Sequence, residues 1–315
     1  MKIAVIGVGG VGGYFGGCLA RAGVEVTFVA RARQCEALRQ RGLEIQSTDG
    51  TFTVSHPRVV DSPARLIAPE VVLLATKAYD LESVSEQLAG VSSRDTVIIS
   101  LQNGIDNDLR IKRLILRAQV HPGVVYVIST KAAPTLIRQT AGPRTILFGD
   151  RQGRYNSALT KLESLLRQAG IQATASTDIV KEIWSKFLWI TTFAGMTALC
   201  RSPIGPIVND AEAFELYEKC LDEGLTVAAA EGVGLDTSTR ANILEKSKAY
   251  RETGFNAKSS LLVDIENGRQ TEIESLNGTL VRLARKHGVR VPIHEIITKA
   301  ISLAMAAQAN RKSEQ

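Results

Sequence analysis

With 315 residues, 44% of them hydrophobic and 22% charged, the chain has the composition of a globular protein large enough for two domains. Its net charge of +6 lacks a dense basic run interleaved with aromatics, which favours anionic small molecules and leaves nucleic acid unexpected as a partner. No apolar run approaches the roughly 20 residues of a membrane span, so no membrane association is expected.

The opening MKIAVIG is too short in its apolar part for a secretory signal, and Cys18, Cys35, Cys200 and Cys220 form no CxxC pair. His56, His121, His287 and His294 are scattered as well. A reduced cytoplasm is the expected compartment, and no metal site is expected.

KIAVIG reads as a short, continuously apolar strand of the kind buried on both faces of a parallel sheet. It runs into Gly7-Val8-Gly9-Gly10-Val11-Gly12, a G-x-G-x-x-G pattern, then a helical segment ending at Gly23 and a second strand, VEVTFVA. Gly7 allows a tight turn, Gly9 allows the backbone to approach a pyrophosphate, and Gly12 allows the helix to pack against the strand. The helix N-terminus then offers amides and positive potential to phosphates. A glycine-rich turn without a ligand is the plainer alternative, but the flanking strands favour a dinucleotide. The second strand ends FVARAR, with Arg31 and Arg33 and no acid to bind a ribose 2′-hydroxyl. A guanidinium there suits the 2′-phosphate of NADP(H).

GLEIQSTDGTFTV places two alternating runs around Asp49-Gly50 and predicts a hairpin. VVLLATKAYD and DTVIISLQNG are buried strands whose polar ends hold Lys77 and Asn103, on the edge where an open α/β sheet binds ligands. Each is a candidate for cofactor or substrate contact, and each also fits a plain loop. Further strands are expected in GVVYVIST, RTILFG and IQATAS. The fold class is therefore α/β, a Rossmann-type doubly wound sheet with a β-rich extension over residues 1–176.

From Thr177 the strand pattern gives way to helices, and 177–315 reads as an all-α domain broken at Pro203, Gly268, Gly288 and Pro292. The tail NRKSEQ is expected to fray. In the first helix Ile183, Lys186, Ile190, Ala194 and Thr197 share a face, which sets Lys186 at the margin of a buried stripe. A snorkelling lysine paired with Glu182 explains this structurally. An ammonium that holds and protonates a carbonyl oxygen explains it functionally, if partial burial lowers its pKa. Thr271 and Glu274 read as a capping box, which puts Glu272 at the first helical position, where it can complement the helix dipole. Of Ser259 and Ser260, one is expected to cap the preceding helix and the other to be available to a substrate carboxylate.

Together IAVIGVGGVGGYFGG, ATKAYD, SLQNG, EIWSKFLW, SSLLVDIENGRQTEI and LARKHGVRVP resemble the ketopantoate reductases (2-dehydropantoate 2-reductases) over essentially the whole chain. The resemblance implies a Rossmann domain, a C-terminal domain like that of 6-phosphogluconate dehydrogenase, and NADPH reduction of a small 2-keto acid to a 2-hydroxy acid. It implies Lys186 as general acid and substrate contact, and Ser260 and Asn209 as substrate contacts. Asn103 and Glu272 would serve both cofactor and catalysis. Gly7 through Gly12, with Val8, Gly10 and Val11 among them, would bind cofactor together with Arg31 and Lys77. Family members that make pantoate usually carry asparagines where this chain has Ile190, Ala194 and Ala257. The expected activity is reduction of 2-dehydropantoate in pantothenate biosynthesis, by a monomer or homodimer. A reductase of a less polar 2-keto acid or carbonyl compound is the first alternative, and a non-catalytic NADPH-binding sensor the second.

Overall fold

The apolar run after Met1 forms strand β1 (Lys2–Ile6), and its last four residues are buried. Because side chains alternate along a strand, Ile3 and Val5 enter one core, while Ala4 and Ile6 enter another on the opposite face. A sheet with apolar groups on both faces needs helices on both sides, and the following segments supply them. The computed structural model of the chain describes residues 1–252 and 257–313. Two compact units emerge, Met1–Glu182 and Ile183–Gln315.

The first unit runs β1, α1 (Gly10–Arg21), β2 (Glu25–Val29), α2 (Ala32–Arg41), β3 (Leu43–Ser47), β4 (Gly50–Val54), β5 (Arg58–Val60) and β6 (Val71–Leu74). It continues with α3 (Leu81–Ala89), β7 (Val97–Ser100), α4 (Asn107–Leu114), β8 (Gln119–Ala133), β9 (Leu136–Phe148), α5 (Ser157–Gln168) and β10 (Gln172–Ala175). The strand order is β4-β3-β9-β8-β7-β6-β1-β2-β5, with β10 beside β9. From β8 to β5 every pairing is parallel. Phe15 and Leu19 of α1 pack on Ile3, Val5, Leu73 and Ile99, while Leu81, Leu88 and Ile111 of α3 and α4 cover Ala4, Ile6, Leu74 and Ile98. This is the doubly wound Rossmann-type architecture.

The β-rich extension grows out of β8, which begins parallel to β7 and continues antiparallel to β9. The expected hairpin is present as β3 and β4, with Thr48 and Asp49 as the turn and Gly50 opening the return strand at φ +120°. Strand β9 is longer than the segment RTILFG suggests. Its middle contains Gly142 and Pro143, turn formers that the ladder accommodates through irregular register opposite Tyr126–Ile128.

The second unit contains most of α6 (Ile179–Cys200), followed by α7 (Ile204–Asn209), α8 (Ala211–Ala230), α9 (Thr239–Glu252), α10 (Ser260–Glu266), α11 (Asn277–Lys286) and α12 (Pro292–Ser313). The unit boundary falls inside α6, since Ile179 in its first turn lies against Gly149 of the sheet unit. Backbone in α12 remains helical through Ser313, so the first part of the tail expected to fray is helical; residues 314–315 lie outside the described residues. Among the described residues no helix is long and apolar enough to cross a membrane.

A buried polar network ties the helices together. Asn277 donates from Nδ2 to Thr191 O at 3.1 Å and to His294 Nδ1 at 2.9 Å, and His294 Nε2 donates to Cys220 O at 3.0 Å. Burial pushes the His294 pKa down to about 4, which keeps the ring neutral and preserves its one acceptor and one donor. The capping box expected at Thr271 and Glu274 is not formed, because α11 starts only at Asn277. Instead the N–H groups of Ser275 and Leu276 donate to the Glu272 carbonyl, and the Glu274 carboxylate accepts from Ser302 Oγ at 2.9 Å. Closing a tight turn at the buried Leu276 takes precedence over the local T-x-x-E preference.

Two glycines fix the first turn of the sheet unit. Gly7 has φ +96°, and a Cβ on Gly12 would lie 2.2 Å from Gly7 O and 3.1 Å from Val5 Cγ1. Gly12→Ala is expected to lower stability by about 1–3 kcal/mol through overpacking, seen as a lower urea midpoint; an unchanged midpoint would mean that the helix can move away from β1.

Candidate active site

Strands β7, β6, β1 and β2 are neighbours and parallel, so the loops leaving their carboxyl ends gather on one edge. Those loops carry Asn103, Lys77, the Gly7–Gly12 turn and Arg31 in that order. The sheet unit thus holds Gly7–Gly12, Arg31, Lys77 and Asn103 of the residues that the sequence assigns to cofactor binding, while Glu272 lies in the helical unit. The first donor of α1 with an intrahelical partner is Gly13 N–H, bonded to Gly9 O at 2.8 Å. The preceding amides are the orphan donors of a helix N-terminus, and the first turn contains no acid. A Cβ at Gly9 would meet nothing within 4 Å, in contrast to Gly7 and Gly12. There is space for a ligand beside the backbone at Gly9.

Several supporting residues escape sequence reasoning. Gln34 on α2 donates from Nε2 to Val8 O at 2.8 Å and to Pro134 O at 3.0 Å, tying the glycine turn to the β8–β9 connection. Gln102 donates from Nε2 to Thr76 Oγ1 at 3.1 Å and Lys77 O at 3.3 Å, joining the loops after β6 and β7. The Asn103 carbonyl is held by Asn107 Nδ2 at 3.0 Å. Arg31 is 86% exposed and pairs with Asp80 at 3.4 Å, a surface ion pair that an anionic ligand can displace at little cost. Lys131 on β8 reaches Gln34 Oε1 at 3.4 Å; desolvation and then the Arg31 charge hold its pKa below the usual lysine range. Nothing in the pattern around Lys131 signals this, because only the pairing of β8 and β9 carries it there.

In the helical unit, Ile183, Ala194 and Thr197 are buried along α6, while Lys186 and Ile190 keep part of their surface accessible. Interior threonines do not break the helix, since Thr191, Thr192 and Thr197 each donate to a carbonyl one turn back. Although Lys186 is partly accessible, its ammonium is crowded enough for desolvation to lower its pKa to about 8. The positive charge of Lys246 adds to that shift, and the Glu272 carboxylate opposes it. Glu272 is 8% exposed, so two residues far apart in sequence, Lys186 and Glu272, come within electrostatic range of each other.

Ser259 is the residue that caps α10: its Oγ accepts from Leu262 N at 3.0 Å and from Thr197 Oγ1 at 2.8 Å. Ser260, the first helical residue, is exposed. Asn209 is exposed at the end of α7, and the Ala257 carbonyl accepts from Ile204 N at 3.1 Å. Lys246 was legible in sequence only as part of a helix, yet its Nζ lies 3.7 Å from the centroid of the Trp189 ring. Trp189 stacks on Phe193 at 5.5 Å, and Phe193 meets Tyr250 at 6.1 Å.

A doubly wound unit with a glycine turn at the head of its first helix, followed by a helical unit bearing a pKa-lowered amine beside a carboxylate, defines an oxidoreductase class. The family description "Ketopantoate reductase PanE/ApbA" matches residues 3–153, and its C-terminal counterpart matches residues 178–304. The chain belongs to the ketopantoate reductase family and is an oxidoreductase of that family. It is 31% identical to the uncharacterized oxidoreductase YkpB of Bacillus subtilis (strain 168), covering 94% of this chain and 96% of that protein. It is 29% identical to the 2-dehydropantoate 2-reductase of Archaeoglobus fulgidus, covering 95% and 96% respectively. A PanE/ApbA family ketopantoate reductase from Ralstonia eutropha JMP134 has a similar crystal structure, with a TM-score of 0.90, 27% identity, and coverage of 98% of this chain and 100% of that one.

The Lys186 environment has a consequence for stability. An unfolded lysine keeps its proton up to 10.5, whereas the folded one releases it near 8, so the unfolded chain binds more protons between these values. Stability of the wild type relative to Lys186→Met is therefore expected to rise with pH through that window and to level off above it. Urea denaturation of both proteins across the window checks this; a difference that stays flat with pH would place the amine in water.

Proposed function

We propose that the chain catalyses NADPH-dependent reduction of 2-dehydropantoate to pantoate, a step of pantothenate biosynthesis, with Lys186 as general acid. The observation that carries this reading is the lowered pKa of Lys186 beside buried Glu272. An acid is most effective when its pKa lies near the working pH, and desolvation brings this amine there. In this reading residues 1–176 form the NADP-binding domain and 177–315 the helical substrate and catalytic domain.

The residues present fit a nicotinamide dinucleotide. The open space at Gly9 and the orphan amides of α1 suit a pyrophosphate, and Arg31 with Lys131 supplies positive charge for a 2′-phosphate. Gly7, Val8, Gly9, Gly10, Val11 and Gly12 would hold the phosphates, while Lys77, Asn103 and Glu272 would contact the remainder. When bound, the reduced nicotinamide supplies the hydride. Lys186 Nζ holds the substrate's keto oxygen and transfers a proton to it as negative charge develops there. Glu272 stabilises the protonated amine before transfer, and Ser260 and Asn209 contact the rest of the substrate.

A second reading keeps this chemistry and changes the substrate to a less polar 2-keto acid. It is favoured by Ile190, Ala194 and Ala257, which offer no amide to a polar substrate group. Ala194 is 1% exposed and Ile190 only partly accessible, so that part of the α6 face is apolar. A non-catalytic sensor has less support, since binding alone does not call for an amine tuned toward the working pH.

Steady-state rates on 2-dehydropantoate and a panel of branched 2-keto acids decide between the readings; marked preference for 2-dehydropantoate supports the first, and its absence with rapid turnover of a branched acid the second. Lys186→Ala is expected to lower kcat by about 10²–10⁴-fold with NADPH affinity nearly unchanged, and an unaltered kcat removes the lysine from the mechanism. Arg31→Ala is expected to weaken NADPH binding about tenfold or more while sparing NADH, measured by fluorescence titration; equal losses for both cofactors would remove Arg31 from the 2′-phosphate.

A further inference from the structure

We infer that Lys246 is a substrate-binding residue of this site, holding the carboxylate of the 2-keto acid whose carbonyl oxygen Lys186 protonates. The inference rests on the reductase reading above and names a residue that neither the motifs nor the family resemblance singled out.

The argument begins with the substrate class. In a 2-keto acid the carboxylate is bonded directly to the carbonyl carbon, so the group that recognises it has to stand close to the proton donor. Lys246 meets that requirement through two separate elements. Its Nζ sits over the Trp189 ring at 3.7 Å, and Trp189 lies three residues beyond Lys186, on the same side of α6. Its charge is felt at Lys186. The other cations of this part of α9 are turned elsewhere, since Lys248 and Arg251 both face Phe214, at 5.5 and 4.7 Å. Lys246 remains exposed, so an anion can reach it.

The charge balance points the same way. Lys246 is a like charge that lowers the Lys186 pKa, and the Glu272 carboxylate opposes it. Holding two ammonium groups near each other is unfavourable, and an anionic ligand between them turns that repulsion into two attractions. The Trp189 face restrains the flexible lysine through a cation–π contact, so less side-chain freedom is lost when the carboxylate arrives. The Phe193 and Tyr250 rings continue the surface beside Trp189.

The test compares Lys246→Met and Lys246→Arg with the wild type, using 2-dehydropantoate or 3-methyl-2-oxobutanoate, whichever the wild type reduces faster, and the methyl ester of the same acid. Lys246→Met is expected to raise KM for the acid about 10- to 100-fold, the range of a charge-assisted hydrogen bond, with KM for NADPH nearly unchanged. The wild-type preference for acid over ester should collapse in Lys246→Met and return in Lys246→Arg. The alkaline limb of the kcat profile should move to higher pH in Lys246→Met, because a like charge has been removed from Lys186; a purely structural role for Lys246 would move neither the acid–ester ratio nor that limb. If Lys246→Met fails to fold, Lys246→Gln serves in its place. Retention of the full acid-over-ester preference without the lysine, in an enzyme whose wild type turns over the acid, overturns this inference alone. A wild type that reduces none of the acids overturns the reductase reading and this inference with it.

Discussion

An ammonium on a helix between Ile183, Phe187 and Ile190 loses hydration that it would keep on an open surface, and the chemistry of the helical unit follows from that loss. Desolvation favours the neutral amine, Lys246 strengthens the effect, and Glu272 prevents it from going too far. A lysine in water holds its proton too tightly to serve as an efficient acid near neutrality; this one is poised to release it. Buried contacts among Asn277, His294, Thr191 and Cys220 join α6, α8, α11 and α12.

The sheet unit solves a different problem with uncharged backbone. Parallel strands align their carboxyl ends, and the glycine turn places the head of α1 among them without a side chain in the way at Gly9. Amides at a helix N-terminus bind phosphate without the desolvation that lysine suffers, because they carry partial charges fixed in place by the helix. Arg31 and Lys131 add positive charge at the rim. Gln34 and Gln102 contribute by tying the loops together, so that the rim is a fixed arrangement of several connected segments.

Family membership and substrate identity depend on different residues. The family matches over residues 3–153 and 178–304 span the glycine turn, the strand ends and the Lys186 helix, where the proposed hydride and proton chemistry would be carried out. Under the proposed reading, Ile190, Ala194 and Ala257 bear on which substrate groups are satisfied and leave the acid unchanged. Such a division lets one fold serve several 2-keto acids.

Much of this was legible from local pattern. Continuous apolar runs marked the buried strands, the glycine spacing marked the turn at the head of α1, and i, i+3, i+4 periodicity exposed Lys186 as out of place. These features follow from near neighbours along the chain, where backbone geometry alone fixes which residues share a face. What the pattern misjudged or missed depended on distant partners. The T-x-x-E signal at Thr271 yielded to burial of Leu276, and strand β9 absorbed Gly142 and Pro143 because β8 lay alongside it. The convergence of Lys186, Lys246 and Glu272, and of Arg31 with Lys131, has no sequence signature, because charges interact through space and only packing brings those segments together. Sequence by itself determined the elements, the glycine turn at the head of α1 and the candidate acid; tertiary structure decided the electrostatic company that acid keeps, and with it how readily it gives up its proton.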